Sequence, residues 1–187
     1  THSDTLSLHD ALPISAASPP GARNLIMQPF LMGARSTRWN PDARGLLLGL
    51  SLGHTRGDIA RALMEGVGYE VATCLDGLRE MGMAPGELAV IGGGAKSDLW
   101  AQIKSDILDV PVYRPRYTEA ASLGAAILAA AAVGLVADPE ATARAWNPPV
   151  ETFTPNTEAA RIYRNRRTLF DDVYAALHPL YPRLHGT

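Results

Sequence analysis

The chain is poor in cysteine: Cys74 is the single one in 187 residues. That excludes an internal disulfide and fits a reducing, cytoplasmic setting. Basic charge is not in excess either. Lys and Arg number 17 against 19 Asp and Glu, for a net charge of −2. Phosphate-backbone binders usually present a basic face, so nucleic acid is not expected as a partner. A membrane span needs about 20 strongly apolar residues, and no run of that kind occurs. The longest candidate, Ala120 to Val136, is mostly alanine and is interrupted by Gly124 and Gly134. The N-terminus lacks the basic-then-apolar order of a secretory signal. The five histidines show no metal-ligand spacing, so no metal ligand is assigned. Neither G-x-x-x-x-G-K-[ST] nor G-x-G-x-x-G is present.

What is present is an ordinary globular composition, 47% hydrophobic and 19% charged. A domain of this size can bury a core without disulfide or metal staples. The chain opens on Thr1, and residues 1–15 (THSDTLSLHDALPIS) show no clear period. DTLSLHDALPIS resembles a translated sequencing adapter. A linker-like stretch, Ala16-Ala17-Ser18-Pro19-Pro20-Gly21, follows it. Residues 1–23 are therefore expected to be a non-native or disordered leader and linker, and 24–187 the domain proper.

Along the domain, Leu25 to Leu31 begins like a strand, and Gly45 to Leu50 reads as a buried one. Asp58 to Arg79 places Ile59, Leu63, Val67, Val71, Leu75 and Leu78 on one helical stripe. Thr55 or Asp58 can cap its start. Gly66 and Gly68 inside it imply close packing against a neighbouring backbone. Leu88 to Ile91 is a short strand, and a helix runs from about Ser97 to Leu108. Pro111 to Tyr113 is another short strand. Ala121 to Val133 reads as a small-residue helix packed tightly against its neighbours. Pro139 to Trp146 is a short helix with proline in its first turn. Pro148-Pro149 breaks the chain, and the last helix covers Thr157 to Leu177, with Ile162, Leu169, Phe170, Val173 and Leu177 on one side. Alternating strands and helices imply an α/β layered domain.

The sharpest local feature joins the Leu88–Ile91 strand to the following helix through Gly92-Gly93-Gly94. Glycines there remove side chains and permit positive φ. A flat ligand could lie on that bare backbone beside a helix N-terminus, or the glycines could make only a tight turn. Ser97 and Asp98 read first as caps.

Context comes from Gly45 to Glu65, GLLLGLSLGHTRGDIARALME. Before it stands Asn40-Pro41-Asp42-Ala43-Arg44-Gly45. After it come Gly92-Gly93-Gly94-Ala95-Lys96-Ser97 with Leu99-Trp100, Ser105 to Leu108 with Pro111-Val112, and Glu119-Ala120 with Leu123 to Ala126. This ordered set resembles the FGGY family of carbohydrate kinases over about Asn24 to Leu180, most nearly its xylulokinase members. The resemblance implies an actin-like, ribonuclease-H-like α/β fold. This chain would be the C-terminal domain, truncated on its N-terminal side. It implies transfer of the ATP γ-phosphoryl group to a sugar or polyol hydroxyl with Mg²⁺, D-xylulose being the first expectation. The implied cofactor-binding residues are Gly93 and Gly94, with backbone against the adenosine, Ala95, which keeps that surface low, and Asp98 facing the adenine. A carboxylate can accept from an exocyclic amine but cannot donate unless protonated. The family's catalytic aspartate, phosphate loops and most sugar contacts lie upstream of the matched region, so no catalytic residue is assigned here. The implied partners are the N-terminal kinase domain of the same protein and a second copy in a homodimer.

Other polar residues read structurally. Asp42, Asp58, Asp106 and Asp109 are structural or capping groups, and His54 belongs to a helix entry. Arg114 and Arg116 lie on a solvated loop, and Glu119 caps the next helix. One departure bears on the substrate: Gly33-Ala34-Arg35-Ser36-Thr37 stands where xylulokinases carry G-E-R-T-P. Glycerol, ribulose and gluconate kinases share the scaffold, and a non-catalytic nucleotide-binding module is the reading of another class.

Overall fold

The structure, a computed structural model, describes residues 13–185. Of the expected foreign segment, residues 1–15, residues 1–12 lie outside them. Strand β1 (Ile26–Gln28) pairs antiparallel with β2 (Leu46–Leu48), Met27 opposite Leu47. Strand β3 (Leu88–Ala89) runs parallel to β4 (Val112–Pro115), and β5 (Pro149–Phe153) lies antiparallel on the other edge of β4. The helices are α1 (Arg56–Glu80), α2 (Asp98–Leu108), α3 (Ala120–Ala132), α4 (Pro139–Trp146) and α5 (Thr157–Leu177). Helix α1 packs on β1 and α2, and α2 packs on α5. The α/β expectation is met.

Helix α1 starts with a reciprocal capping box. Asp58 N–H donates to Thr55 Oγ1 at 3.3 Å, and Thr55 N–H donates to Asp58 Oδ2 at 2.8 Å. These satisfy donors that a helix start otherwise leaves unpaired. Asp58 also accepts from Ser18 Oγ at 2.6 Å and faces Arg23 Nε at 3.4 Å. It is closed to solvent but lies just beneath the surface. The Ser18 hydrogen bond foremost, against a partial burial penalty, and then the Thr55 groups and Arg23, lower its pKa to about 2.

The predicted stripe of α1 is not the buried one. Ile59, Leu63, Val71 and Leu78 are all partly exposed, and only Leu75 of that row is buried. The inward face instead carries Asp58, Arg61, Ala62, Glu65, Gly66, Gly68, Tyr69 and Ala72. Two causes select it. A Cβ on Gly66 would sit 2.1 Å from the Met27 carbonyl oxygen, so the observed crossing of β1 over α1 requires glycine there. At Gly68 the close neighbour is a side chain, Ile107 Cδ1, at 2.6 Å. The second cause is an ion pair inside the fold. Arg61 Nε donates to Glu65 Oε1 at 2.9 Å, Nη2 to Tyr163 Oη at 2.8 Å and Nη1 to the Ser18 carbonyl at 2.8 Å. Glu65 Oε1 also accepts from Gly21 N–H at 2.9 Å and Tyr163 Oη at 3.0 Å. Burial raises the Glu65 carboxyl pKa, and Arg61, the Gly21 amide and Tyr163 oppose that rise. Ser15, Ser18 and Ala22 are buried, so residues 13–23, inside the expected leader and linker, pack against α1 rather than run free.

Four more expectations are corrected. Strand β2 is half-buried at Leu46 and Leu47 and exposed at Leu48, not a buried core strand. Helix α3 buries only Ile127 and meets mainly α4, so its alanines are not tightly packed. Pro148-Pro149 does not simply break the chain, because β5 starts at Pro149 on the sheet edge, where a missing N–H is tolerated. Leu169 of α5 is exposed, while Tyr163, Phe170 and Tyr174 face inward. These rings meet Phe30 and Tyr69 at centroid distances from 5.3 to 6.4 Å. Arg38 lies over Tyr174 at 4.5 Å and pairs with Glu70 at 2.8 Å.

Two measurements check these assignments. Gly66→Ala is expected to lower stability by about 3 kcal/mol, because the clash is with backbone and cannot relax by a rotamer change. A urea midpoint unchanged from wild type would disprove the close crossing. For Asp58, the lowered pKa means that its contribution is present above about pH 4 and is lost as pH falls through about 2. Wild type is therefore expected to exceed Asp58→Asn in stability at pH 6, with the two urea midpoints converging toward pH 2. A gap that stays constant would refute the assignment.

Candidate functional site

The glycine turn is built where the sheet ends. Val90 N–H donates to the Tyr113 carbonyl at 2.9 Å, and Gly92 N–H to the Thr118 carbonyl at 2.8 Å. Gly92 then takes φ 73°, the left-handed region open to glycine, and turns the chain off β3. Residues Gly93–Lys96 form a tight 3-10 turn. Ser97 ends it and caps α2, its Oγ accepting from Trp100 N–H at 3.2 Å.

The four residues expected at the cofactor occupy different positions on this turn. Gly93 is exposed, and a Cβ there would meet nothing within 4 Å. Gly94 is half-buried, and a Cβ there would come 2.8 Å from the Trp100 ring. Ala95 is fully buried, so its methyl belongs to the core. Asp98 is the first residue of α2, with its side chain 70% exposed. Gly93 and Asp98 thus share an open backbone shelf beside the N-terminus of an 11-residue helix, while Gly94 and Ala95 face inward.

Arg114 is the residue that sequence reasoning misplaced. It is on β4, not on a solvated loop, and its side chain is only 19% exposed. It donates from Nε to the Ala95 carbonyl at 2.6 Å, from Nη2 to Asp98 Oδ1 at 2.5 Å and from Nη1 to Glu151 Oε2 at 2.6 Å. The only early signal was its place directly after the Pro111 to Tyr113 strand and before Pro115. Glu119 occupies the cap position of α3 but makes no side-chain cap bond. His54 is a helix-entry residue as expected, with Nδ1 accepting from Ser51 N–H at 2.9 Å and Nε2 on the Arg23 carbonyl at 3.0 Å. Asp106 accepts from Asn156 N–H at 2.8 Å and Gln102 Nε2 at 2.7 Å, a structural role.

The turn is a shelf, not a cavity. A cleft of about 290 Å³ adjoins it at Ile91, Tyr113, Leu123 and Ile127. A larger one of about 710 Å³ lies away from it, between Pro19-Pro20 and the start of α5. The shelf outranks the larger cleft as a candidate because it joins bare backbone, a helix N-terminus and an outward carboxylate. Among the described residues, no three His, Cys, Asp or Glu side chains converge on a point. No helix of the described residues is long and apolar enough to cross a membrane.

The fold and the glycine turn define a mixed α/β domain of the actin-like class. Residues 3–133 match the FGGY family of carbohydrate kinases, C-terminal domain. The chain belongs to that family. It is 34% identical over 168 residues to a xylulose kinase of Staphylococcus epidermidis, covering 90% of this chain and 34% of the relative. It is 42% identical over 137 residues to a glycerol kinase of Citrifermentans bemidjiense, covering 71% of this chain and 27% of that protein. A ligand-bound xylulose kinase from Lactobacillus acidophilus superposes with TM-score 0.85 at 29% identity, over 95% of this chain and 36% of that one. A gluconate kinase from the same organism does so at 28% identity, over 97% and 37%. The chain thus spans about a third of the length of the xylulose kinases it matches.

The last two glycines of the run differ in packing, Gly94 against Trp100 and Gly93 open. Gly94→Ala is expected to destabilise the fold by about 1–3 kcal/mol through the Trp100 ring. Gly93→Ala is expected to leave stability within about 0.5 kcal/mol. Thermal unfolding of both variants checks this, and equal losses would contradict the turn geometry.

Proposed function

We propose that this chain forms the adenine-nucleotide wall of an ATP-dependent sugar kinase, with D-xylulose as the first substrate and D-xylulose 5-phosphate as the product. The observation that carries the reading is the open shelf at Gly93 and Asp98, in a chain with 34% identity to a xylulose kinase over 168 residues. Gly93 offers unobstructed backbone to a flat base. Asp98 offers an acceptor to an exocyclic amine. Gly94 and Ala95 shape the turn from beneath.

In the proposed reaction the sugar hydroxyl oxygen bonds to the γ-phosphorus. The bond from that phosphorus to the β,γ-bridging oxygen breaks, and ADP leaves. The hydroxyl proton passes to a base. Such transfer depends on alignment and charge neutralisation more than on covalent chemistry by the protein. This chain contributes alignment of the adenosine end. The base, the phosphate loops and most of the sugar site belong, in this proposal, to an N-terminal half of the same cytoplasmic protein. Mg²⁺ would be held by the nucleotide phosphates and groups of that half, since no acidic cluster forms among the residues described here.

A second substrate reading has its own support. The match to a glycerol kinase reaches 42% identity over 137 residues, and Gly33 to Thr37 departs from G-E-R-T-P. The test extends the reading frame upstream and assays the full-length protein for ADP release with D-xylulose, D-ribulose, gluconate and glycerol. Turnover fastest with D-xylulose is expected, and the 187-residue chain alone is expected to bind ATP weakly and to phosphorylate none of them. A faster rate with glycerol would select the second substrate. No turnover with any of the four, together with ATP binding by the short chain, would leave a non-catalytic nucleotide module.

A further inference from the structure

We infer that Arg114 is the positioning residue of the glycine turn, fixing its backbone and the Asp98 carboxylate together for the nucleotide. The inference rests on the nucleotide reading above. Arg114 reaches the turn from β4, 19 residues beyond Ala95 and 16 beyond Asp98. Its three donor nitrogens go to three separate acceptors: the Ala95 carbonyl, Asp98 Oδ1 and Glu151 Oε2. The guanidinium is held from the β5 side as well, lying 5.5 Å from the Phe153 ring centroid. It is the shielded member of the group, at 19% exposure against 70% for Asp98 and 43% for Glu151.

That asymmetry determines what the contacts do. Ion pairs with exposed carboxylates add little to stability, because water screens them. What they supply is geometry. A planar fork carried on β4 and flanked by β5 holds the Ala95 carbonyl and the first side chain of α2 at a fixed separation. With Oδ1 engaged, and no partner for Oδ2 among the described residues, Oδ2 is the acceptor left for a base. Lysine presents a single point charge and cannot span the three acceptors. Gly94 supports the same frame from below through Trp100, whose ring is in turn covered by the Lys104 ammonium at 4.4 Å.

The test titrates the 187-residue chain with ADP in wild type, Arg114→Gln, Arg114→Lys, Asp98→Asn and the Arg114→Gln/Asp98→Asn double variant. Arg114→Gln is expected to weaken ADP binding about 5–10-fold with little change in unfolding midpoint, and Arg114→Lys not to restore it. In the Asp98→Asn background the same Arg114→Gln change is expected to add much less. Wild-type affinity in Arg114→Gln overturns the inference, as does full additivity of the two changes, since the share of the effect that runs through the Asp98 carboxylate is already lost in Asp98→Asn. Absence of ADP binding by wild type overturns the nucleotide reading itself. Amide exchange then decides the positioning role separately. Faster exchange of Gly93 to Asp98 in Arg114→Gln, with α1 unchanged, supports it, and unchanged exchange overturns it.

Discussion

The buried pair of Arg61 and Glu65 is the constraint on which the rest of the domain depends. Two charges closed off from water are tolerated only if nearly every donor and acceptor finds a partner. Here Arg61 reaches Glu65, Tyr163 and the Ser18 carbonyl, and Glu65 also takes the Gly21 amide. Those partners come from three places in the chain: α1 itself, the 18–21 segment and α5. The network therefore specifies which face of α1 turns inward and how α5 lies against it. Hydrophobic burial supplies most of the driving force, but it is non-directional. The hydrogen-bonded charges select one packing among many. Gly66 adds a steric condition of the same kind, since only a residue without a side chain lets the Met27 carbonyl approach α1.

This changes what the family signature means in this molecule. Asp58 closes a capping box and takes Ser18, Glu65 anchors the buried pair, and Gly49 takes φ 90° with the Asn24 carbonyl 2.9 Å from where a Cβ would stand. None of these three residues is at the glycine turn. The stretch from Gly45 to Glu65 is a scaffold signature, and it identifies the site only by fixing the frame that carries β3 and α2. Recognition through such residues gives family and fold more directly than it gives substrate.

Element existence was largely legible, and orientation was not. The start of α4 was readable from Pro139, because proline in a first turn acts locally. The inward face of α1 was misread because periodicity scores Ile59, Leu63 and Val71 as core and Arg61 and Glu65 as surface. Only a satisfied network, made by residues far apart in sequence, inverts that order. Strand β5 was missed for a related reason. Pro149 and Glu151 argue against a strand until an edge position beside β4 makes both acceptable. Helix α3 was expected to be packed on the strength of its alanines, yet small residues permit close approach without requiring it.

The site itself divides along the same line. Gly92 was readable as a turn residue from the chain alone, since a positive φ is a local demand. Arg114 was not, because its function exists only once β4, β5 and the turn are assembled. The shelf also offers a ligand one surface instead of an enclosure. A flat base on bare backbone buries one face, whereas tight small-molecule sites cover most of their ligand. Binding at one wall must still overcome the loss of translational and rotational freedom, with only part of the contact area to oppose it. A shelf held by a shielded, multiply bonded arginine limits the ordering that binding would otherwise demand. In the proposed site, rigidity at Arg114 would let a single wall contribute to binding, because the turn would not have to be organised anew for each nucleotide.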